Sequence, residues 1–213
     1  MIVHDVDQRT PEWAALRVGK FTSTDAADLM APSLKNGGEP AKRKALRDRL
    51  ICERLTGVSA GSEYRNAAMA RGLALEPAAI SAVEDAIGAL VWPVGFVSHD
   101  TLPTGCSPDG VVGEFAGVVE VKCPTSAMHL SYLRAGIVPA EYRPQVIHLL
   151  FVTGAPWVEF GSYDDRFPDG LRLFHTRYLR DDEEMQAYEL LLRVFLADIE
   201  REVALIQGLV PAA

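Results

Sequence analysis

The stretch SPDGVVGEFAGVVEVKCP, residues 107–124, decides how the fold of this chain is predicted. Two apolar runs separated by a glycine-rich break, with valines at alternating positions, are typical of a β-hairpin. If residues 117–123 form a strand, its valines face the core. Glu120 and Lys122 then share the opposite face, about 6.6 Å apart along the strand.

The same hairpin would bring two carboxylates and an ammonium group together. Asp109 lies in the SPDG turn, and pairing of the two segments would place its carboxylate near that of Glu120. Converging carboxylates repel each other unless a cation lies between them, and Mg²⁺ prefers such oxygen ligands. Lys122 would orient or deprotonate a metal-bound water and offset charge on a phosphate. Each residue alone is more typical of a solvated hairpin, whereas their combination favours a phosphodiester hydrolase.

Length and composition predict one globular domain over residues 1–213, since 48% of the residues are hydrophobic and 23% are charged. Three cysteines without a CxxC pair indicate neither a disulfide framework nor a zinc knuckle, and they fit a reducing cytoplasm. The N-terminus lacks an apolar signal core, and no uncharged run reaches the length of a membrane helix. We therefore expect a cytoplasmic protein without a membrane partner.

The net charge of −8 argues against nonspecific coating of nucleic acid, because an acidic surface repels a polyanion. Charge is nevertheless uneven, and residues 35–54 carry seven Lys or Arg against three acids. A helix in this segment would contact the backbone of a DNA duplex without reading its sequence, although a solvated amphipathic helix is as typical of the pattern. The candidate backbone contacts are Lys42, Arg43, Lys44 and Arg47.

Periodicity along the rest of the chain predicts helices on both sides of a β-rich middle. Residues 66–87 are alanine-rich and predict a long, largely buried helix, or a pair of helices broken near Pro77. The other predicted helices begin at Thr10, at the TST cluster after Gly19, and at about residues 41 (stopped by Gly57), 125, 141 and 182. The last helix carries an apolar stripe predicted to pack on the core: Leu190, Leu191, Val194, Phe195, Ile199, Val203 and Ile206.

SPDG followed by EVKCP resembles the PD-(D/E)xK nuclease signature, and the chain resembles the phage lambda exonuclease family of YqaJ-like viral recombinases. The likeness extends in order through WAALRVGKFTSTDAADLM, RGLALE, CSPDG, EVKCP and YRPQVIHLLFVTG. It implies an α/β fold with a restriction-endonuclease-like core, in which a central mixed β-sheet is flanked by α-helices.

The resemblance also implies roles for individual residues. Asp109, Glu120 and the backbone carbonyl of Val121 would bind Mg²⁺, with two ions in each active site and Mn²⁺ as an acceptable substitute. Lys122 would position or activate the attacking water. In the family, arginine and hydroxyl side chains hold the 5′-phosphate of the DNA end, and Thr24 stands where the family has serine. The additional implied residues are Glu76 and Gln145 in catalysis, and Arg17, Thr24 and Ser107 in binding a 5′-phosphate.

The implied activity is Mg²⁺-dependent 5′→3′ hydrolysis of double-stranded DNA from 5′-phosphorylated ends, leaving 3′ single strands for recombination. The resemblance implies a homotrimeric ring around DNA, a single-strand annealing protein as partner, and a phage or prophage origin in a bacterial host. Two alternatives stay open: a PD-(D/E)xK endonuclease of the resolvase or restriction type, and a non-catalytic DNA-binding module of the same fold. One position departs from the family, because Ile147 replaces its second glutamine.

Overall fold

The computed structural model describes residues 1–33, 37–60 and 67–209. Within these ranges the strands form two mixed sheets, which confirms the predicted α/β class and adds a small second sheet that the sequence did not predict. The larger sheet has the order β3-β6-β7-β8-β9, and only β7 and β8 are parallel neighbours; the smaller has the order β1-β4-β5-β2. The strands are β1 (Ile2–His4), β2 (Phe21–Thr22), β3 (Val91–Trp92), β4 (Phe96–Ser98), β5 (Thr104–Cys106), β6 (Gly110–Val112), β7 (Gly117–Lys122), β8 (Trp157–Tyr163) and β9 (Leu173–Leu179).

Seven α-helices surround the sheets in the described part of the chain. Local signals set their ends: Thr10 caps the first helix by accepting a hydrogen bond from the Trp13 N–H (3.2 Å), and Gly57 ends the third with a left-handed φ of 69°. No helix of the described residues is long and apolar enough to cross a membrane. The helices are α1 (Pro11–Arg17), α2 (Ala26–Leu29), α3 (Ala41–Thr56), α4 (Ala67–Ile87), α5 (Ser126–Ala135), α6 (Arg143–Thr153) and α7 (Asp182–Gln207).

Strand β7 lies at the centre of the molecule and is covered on both faces. Val118 packs in the main core with residues of α6 and α7, while Val119 and Val121 pack against Ala79 and Val83 of α4. The predicted alternation of side chains along β7 is therefore confirmed. Glu120 and Lys122 lie on the same face of β7 as Val118. Their carboxylate and ammonium groups therefore point away from α4, which packs on the opposite face, and towards α6.

Two predicted helical faces differ from the structure. Helix α4 is continuous through Pro77, and Met69 and Leu73 in its first half are 55% and 40% exposed, because the second half packs on the sheet. In α7 the inward face is shifted by one residue from much of the predicted stripe, so Leu190, Leu191, Val194 and Ile206 are exposed. The residues of α7 that are buried are Met185, Tyr188, Leu192, Phe195, Leu196, Ile199 and Val203.

The predicted helix at the TST cluster is also shorter than expected. A 3₁₀ turn, Ser23–Asp25, leads into the four residues of α2. Asp25 closes a capping box with Thr22, whose backbone N–H donates to Asp25 Oδ2 (2.8 Å). Asn66 and Lys35, at the ends of two predicted segments, lie outside the described residues.

Candidate active site

A cleft of about 960 Å³ opens between the N-terminal segment, the exposed half of α4 and the end of β7. Strand β6 pairs with only the first half of β7, from Gly117 to Val119, so the second half of β7 projects past it into the cleft. The cleft has the size of a small-ligand site. It is lined by every residue predicted for catalysis and phosphate binding: Arg17, Thr24, Glu76, Ser107, Asp109, Glu120, Val121, Lys122 and Gln145.

The hairpin brings Asp109 to the end of β7, as the sequence predicts. Asp109 directly precedes β6, and its Oδ2 accepts a hydrogen bond from the Val121 N–H at 2.7 Å. The N–H and C=O of a strand residue point to the same neighbour. The Val121 carbonyl therefore also points towards the side on which Asp109 lies, where no strand pairs with it.

Glu120 is almost completely buried, and its two oxygens differ in their partners. Oε1 accepts hydrogen bonds from Gln145 Nε2, at 2.5 Å, and from Lys122 Nζ. Oε2 has no hydrogen-bond partner among the described residues, although it is buried. An unpaired carboxylate oxygen in such a place is costly. Its lone pairs are therefore available to a cation.

The charges of this group do not balance. Burial and the charge of Glu120 raise the pKa of Asp109 well above its usual value, although Lys122 and the Val121 N–H oppose the shift. Burial alone would lower the pKa of Lys122, but the charges of Glu120 and Asp109 raise it overall, so its amine is an ammonium group at neutral pH. One ammonium group faces two carboxylates, and an added cation would relieve the repulsion between them.

The donors that converge here suit Mg²⁺. Asp109, the free oxygen of Glu120 and the Val121 carbonyl supply only hard oxygen ligands, as Mg²⁺ requires. No group of three His, Cys, Asp or Glu side chains is placed to hold a metal within the described ranges. A metal at this point would therefore rely on the two carboxylates, the backbone carbonyl and water, and Mg²⁺ usually retains several waters.

Glu76 lies on the α4 wall of the cleft, and an arginine that the sequence did not single out binds it. Arg9 Nη2 donates to Glu76 Oε2 at 2.5 Å, so the ion pair spans the cleft between the N-terminal segment and α4. Arg9 holds a left-handed backbone with φ of 69°, which is uncommon for a residue other than glycine. The charge of Glu76 also contributes to the raised pKa of Asp109. Glu76 thus faces the carboxylate pair.

The three predicted phosphate ligands occur together at the N-terminal side of the cleft. The Arg17 guanidinium lies over the ring of Trp13, 4.2 Å from its centroid, and burial lowers its pKa. The guanidinium of Arg17 makes no hydrogen bond or ion pair with any residue that the structure describes. Ser107 Oγ accepts from Trp13 Nε1 at 2.7 Å, and Thr24 Oγ1 lies 3.2 Å from Thr22 Oγ1. A guanidinium that pairs with no described residue, in a cleft that two hydroxyls also line, is typical of an anion site.

The dipole of the helix after Thr24 contributes little to that site. The helix is a single 3₁₀ turn followed by four helical residues, and the Thr22 N–H at its start already donates to the Asp25 carboxylate. The attraction for an anion therefore rests on Arg17 and the hydroxyls. Ile147 is buried in the core at 1% exposure, so the structure places no amide where the family has its second glutamine.

Comparison with known proteins identifies the family. The model of the YqaJ-like viral recombinase domain matches residues 12–156, a range that contains every cleft residue from Trp13 to Gln145 and begins just after the cleft residues of the N-terminal segment. The chain belongs to this family. A comparison with curated proteins finds no match.

Solved structures agree with the assignment of this YqaJ-like domain. The alkaline exonuclease LHK-Exo from Laribacter hongkongensis is 38% identical with a TM-score of 0.84, and the alignment covers 93% of this chain and 97% of that one. A second structure of LHK-Exo, in complex with dAMP, matches equally well. A phage-related exonuclease from Haemophilus somnus 129PT shares the fold at 13% identity and a TM-score of 0.64, covering 88% of this chain and 96% of that one. The similarity to LHK-Exo and the family match support a nuclease role.

Most of the candidate DNA-contacting side chains in the basic segment of the YqaJ-like domain bind other groups of the same chain. Arg43 donates to the Ala31 carbonyl, and both terminal nitrogens of Arg47 bind Glu39. Lys44 pairs with Asp48 one turn along the exposed surface of α3, and Lys42 is exposed. None of the four lines the cleft. Contact between this segment and a DNA backbone stays a prediction.

The sequence did not predict three polar or aromatic residues that line the cleft: Gln8, Arg9 and Trp13. Gln8 Nε2 donates to the carbonyls of Val94 (2.9 Å) and Pro108 (2.8 Å), which fixes the N-terminal segment to the SPDG bend. The hydrogen-bond partners of these three side chains lie 67 or more positions away in the sequence. A tryptophan four residues before Arg17 was the available signal, since such residues share a helical face.

Proposed function

We propose that this chain is a Mg²⁺-dependent exonuclease that degrades double-stranded DNA in the 5′→3′ direction from 5′-phosphorylated ends. The single observation that supports the proposal is a cleft in which one carboxylate oxygen and one guanidinium can each accept a further partner. Among the described residues, the buried Glu120 Oε2 has no hydrogen-bond donor, and the Arg17 guanidinium has no hydrogen-bond acceptor or ion-pair partner. A metal-bound phosphodiester whose terminal phosphate lies one nucleotide away would satisfy both.

Asp109, Glu120 and the Val121 carbonyl would hold Mg²⁺, and Glu76 would support a second ion or its water once its carboxylate leaves Arg9. The bound metal supplies a Lewis acid and lowers the pKa of a coordinated water. Lys122 would keep its ammonium group beside that water and the scissile phosphate, where it offsets negative charge. Gln145 holds the Glu120 carboxylate in place.

The distance between the two ends of the cleft would set the product. With the 5′-phosphate held by Arg17, Thr24 and Ser107, the next phosphodiester along the strand reaches the carboxylate pair. Hydrolysis there releases a mononucleotide and exposes a 3′ single strand for annealing. Residues suited to a terminal phosphate line the same cleft as the carboxylate pair, which supports an exonuclease over the endonuclease alternative. The set of metal ligands supports it over a non-catalytic module.

Digestion of three duplex substrates tests this function. Linear duplex with 5′-phosphates should yield mononucleotides in Mg²⁺, linear duplex with 5′-hydroxyls should react more slowly, and covalently closed circles should stay intact. Nicking of the circles would establish the endonuclease alternative, and binding without any cleavage in Mg²⁺ or Mn²⁺ would establish the non-catalytic one.

Arg17→Ala should specifically reduce the preference for phosphorylated ends. Charge-assisted hydrogen bonds are each worth roughly 1.5–3 kcal/mol, so the ratio of kcat/KM for 5′-phosphate over 5′-hydroxyl ends should fall about 10- to 100-fold. The exposed Arg134, outside the cleft, provides the matched control variant Arg134→Ala. An unchanged ratio in Arg17→Ala would remove Arg17 from the phosphate site.

We further propose a homotrimeric ring through which the duplex passes, with a single-strand annealing protein as partner in the bacterial cytoplasm. The family resemblance supports this assembly, and the basic segment on an acidic chain fits it because basic groups would then line the channel. Light scattering should give three times the mass of the 23.2 kDa chain. A monomeric mass at micromolar concentration would contradict the ring.

A further inference from the structure

Trp13 contacts two of the three residues proposed to hold the 5′-phosphate. The face of its ring lies against the Arg17 guanidinium, and its Nε1 lies 2.7 Å from Ser107 Oγ. Arg17 lies on the same helix as Trp13, whereas Ser107 is 94 residues away in the sequence. One side chain therefore connects helix α1 to the segment that follows β5.

The hydrogen bond to Ser107 fixes the direction in which that hydroxyl works. The indole N–H can only donate, so Ser107 Oγ must accept. The hydroxyl proton of Ser107 is then free to rotate towards the cleft, where it can be donated to a phosphate oxygen. Without the indole donor, the hydroxyl would be free to use its oxygen as the acceptor for another group.

The contact with Arg17 holds the guanidinium without consuming its donors. A cation–π contact uses the flat face of the guanidinium, and its N–H groups point outward around the edge. Other arginines show the contrast: Arg49 is bound by Asp25 and Glu53, and Arg47 by both oxygens of Glu39. A carboxylate in place of the ring would neutralise Arg17 and compete with a phosphate.

Trp13 is itself fixed by the start of helix α1. Its backbone N–H donates to the Thr10 cap, and Pro11 occupies the first turn. Gln8 binds the Pro108 carbonyl, next to Ser107. The ring is therefore positioned from both sides before any ligand arrives, which lowers the cost of ordering the site on binding.

We propose that Trp13 is a positioning residue for the 5′-phosphate: it presents Arg17 with all its donors free and makes Ser107 a donor. This inference rests on the proposed function, in which Arg17 and Ser107 bind the terminal phosphate. It adds a residue that specifies which end of DNA is accepted, through two contacts that can be removed separately.

Two substitutions separate the contacts. Trp13→Phe keeps an aromatic face for Arg17 and removes the N–H to Ser107, whereas Trp13→Leu removes both. The measured quantity is kcat/KM on 5′-phosphorylated and on 5′-hydroxyl duplex, in Mg²⁺. Trp13→Phe should lower the ratio of the two about three- to tenfold, the value of one hydrogen bond, and Trp13→Leu should lower it further. Most of the change should appear in KM for phosphorylated ends.

A double-mutant cycle distinguishes positioning from a general loss of structure. Because Trp13→Phe already removes the arrangement that makes Ser107 useful, Ser107→Ala should have a smaller effect in that background than in the wild type. Trp92→Phe, at an exposed tryptophan outside the cleft, is the matched control and should leave the ratio unchanged.

Three outcomes would overturn the inference. Additive effects of Trp13→Phe and Ser107→Ala would show that the two residues act independently. An equal loss on both kinds of end would show that Trp13 serves the fold alone. A wild-type protein that does not prefer 5′-phosphorylated ends would overturn the proposed function together with this inference, and it is recognised from the wild type alone.

Discussion

Asp109→Asn is expected to abolish DNA hydrolysis and to stabilise the metal-free protein. Asparagine is nearly isosteric, and its side-chain oxygen can still accept the hydrogen bond from the Val121 N–H. The change removes one of two neighbouring carboxylates whose repulsion, with burial, raises the pKa of Asp109. It also removes a charged metal ligand, and with it several kcal/mol of transition-state stabilisation.

The loss of activity should be at least about 10³-fold, since each 1.36 kcal/mol corresponds to a factor of ten in rate. The gain in stability depends on pH with a definite sign. The folded-state pKa of Asp109 is above the unfolded value of about 3.9, so the folded protein loses stability as the pH rises from that value towards the folded pKa. Asparagine does not titrate there, and the advantage of the variant should therefore be absent near pH 4 and grow above it.

Thermal unfolding with and without Mg²⁺ measures both consequences. In the absence of metal at neutral pH, the Tm of Asp109→Asn should exceed that of the wild type by several degrees, because about 1 kcal/mol shifts the Tm of a chain of this size by about 2–4 °C. Mg²⁺ should raise the Tm of the wild type more than that of the variant. Glu114→Gln makes the same change at an exposed acid in the same hairpin and should do neither. A variant that stays active, or one that melts below the wild type, would contradict the assignment.

Sequence alone predicted the parts of this site that depend on local rules. Alternation along a strand places Glu120 and Lys122 on one face, and a hairpin of fixed register returns Asp109 to them. The caps at Thr10 and Gly57 were predicted for the same reason, since each cap bonds within a few residues. The family resemblance then brought Arg17, Thr24, Ser107, Glu76 and Gln145 into the same cleft, where the structure places them.

Contacts between distant segments were not predictable in this way. Arg9 binds Glu76 across 67 residues, and Trp13 binds Ser107 across 94, so no local pattern records either pair. Helix α7 shows a different limit. It carries apolar residues on more than one face. Leu192 and Leu196 are buried, whereas Leu190 and Val194 are exposed, because the positions of the neighbouring elements determine which face packs on the core. Alanine content likewise misled the prediction for α4, because small side chains are compatible with both burial and exposure.

Lys122→Met is expected to abolish hydrolysis as Asp109→Asn does, but with the opposite effect on stability. Methionine fills a similar volume without a charge, so Glu120 keeps only Gln145 as a donor and loses its ion-pair partner. Removing one member of a buried pair leaves an uncompensated charge, which costs roughly 3–5 kcal/mol. The Tm in the absence of metal should therefore fall by roughly 6–20 °C.

The number of charges in the site predicts a further property of Lys122→Met. Lys122→Met leaves two carboxylates without a cation, and the double variant with Asp109→Asn leaves one. The double variant should therefore melt at a higher temperature than Lys122→Met alone while remaining inactive, and Mg²⁺ should recover more stability in Lys122→Met than in the double variant. Lys44→Met is the control, because its exposed pair with Asp48 contributes little. If Asp109→Asn raised the Tm by the same amount in the wild type and in Lys122→Met, Asp109 and Lys122 would not share one charge balance, and the proposed metal site between Asp109 and Glu120 would lose its electrostatic basis.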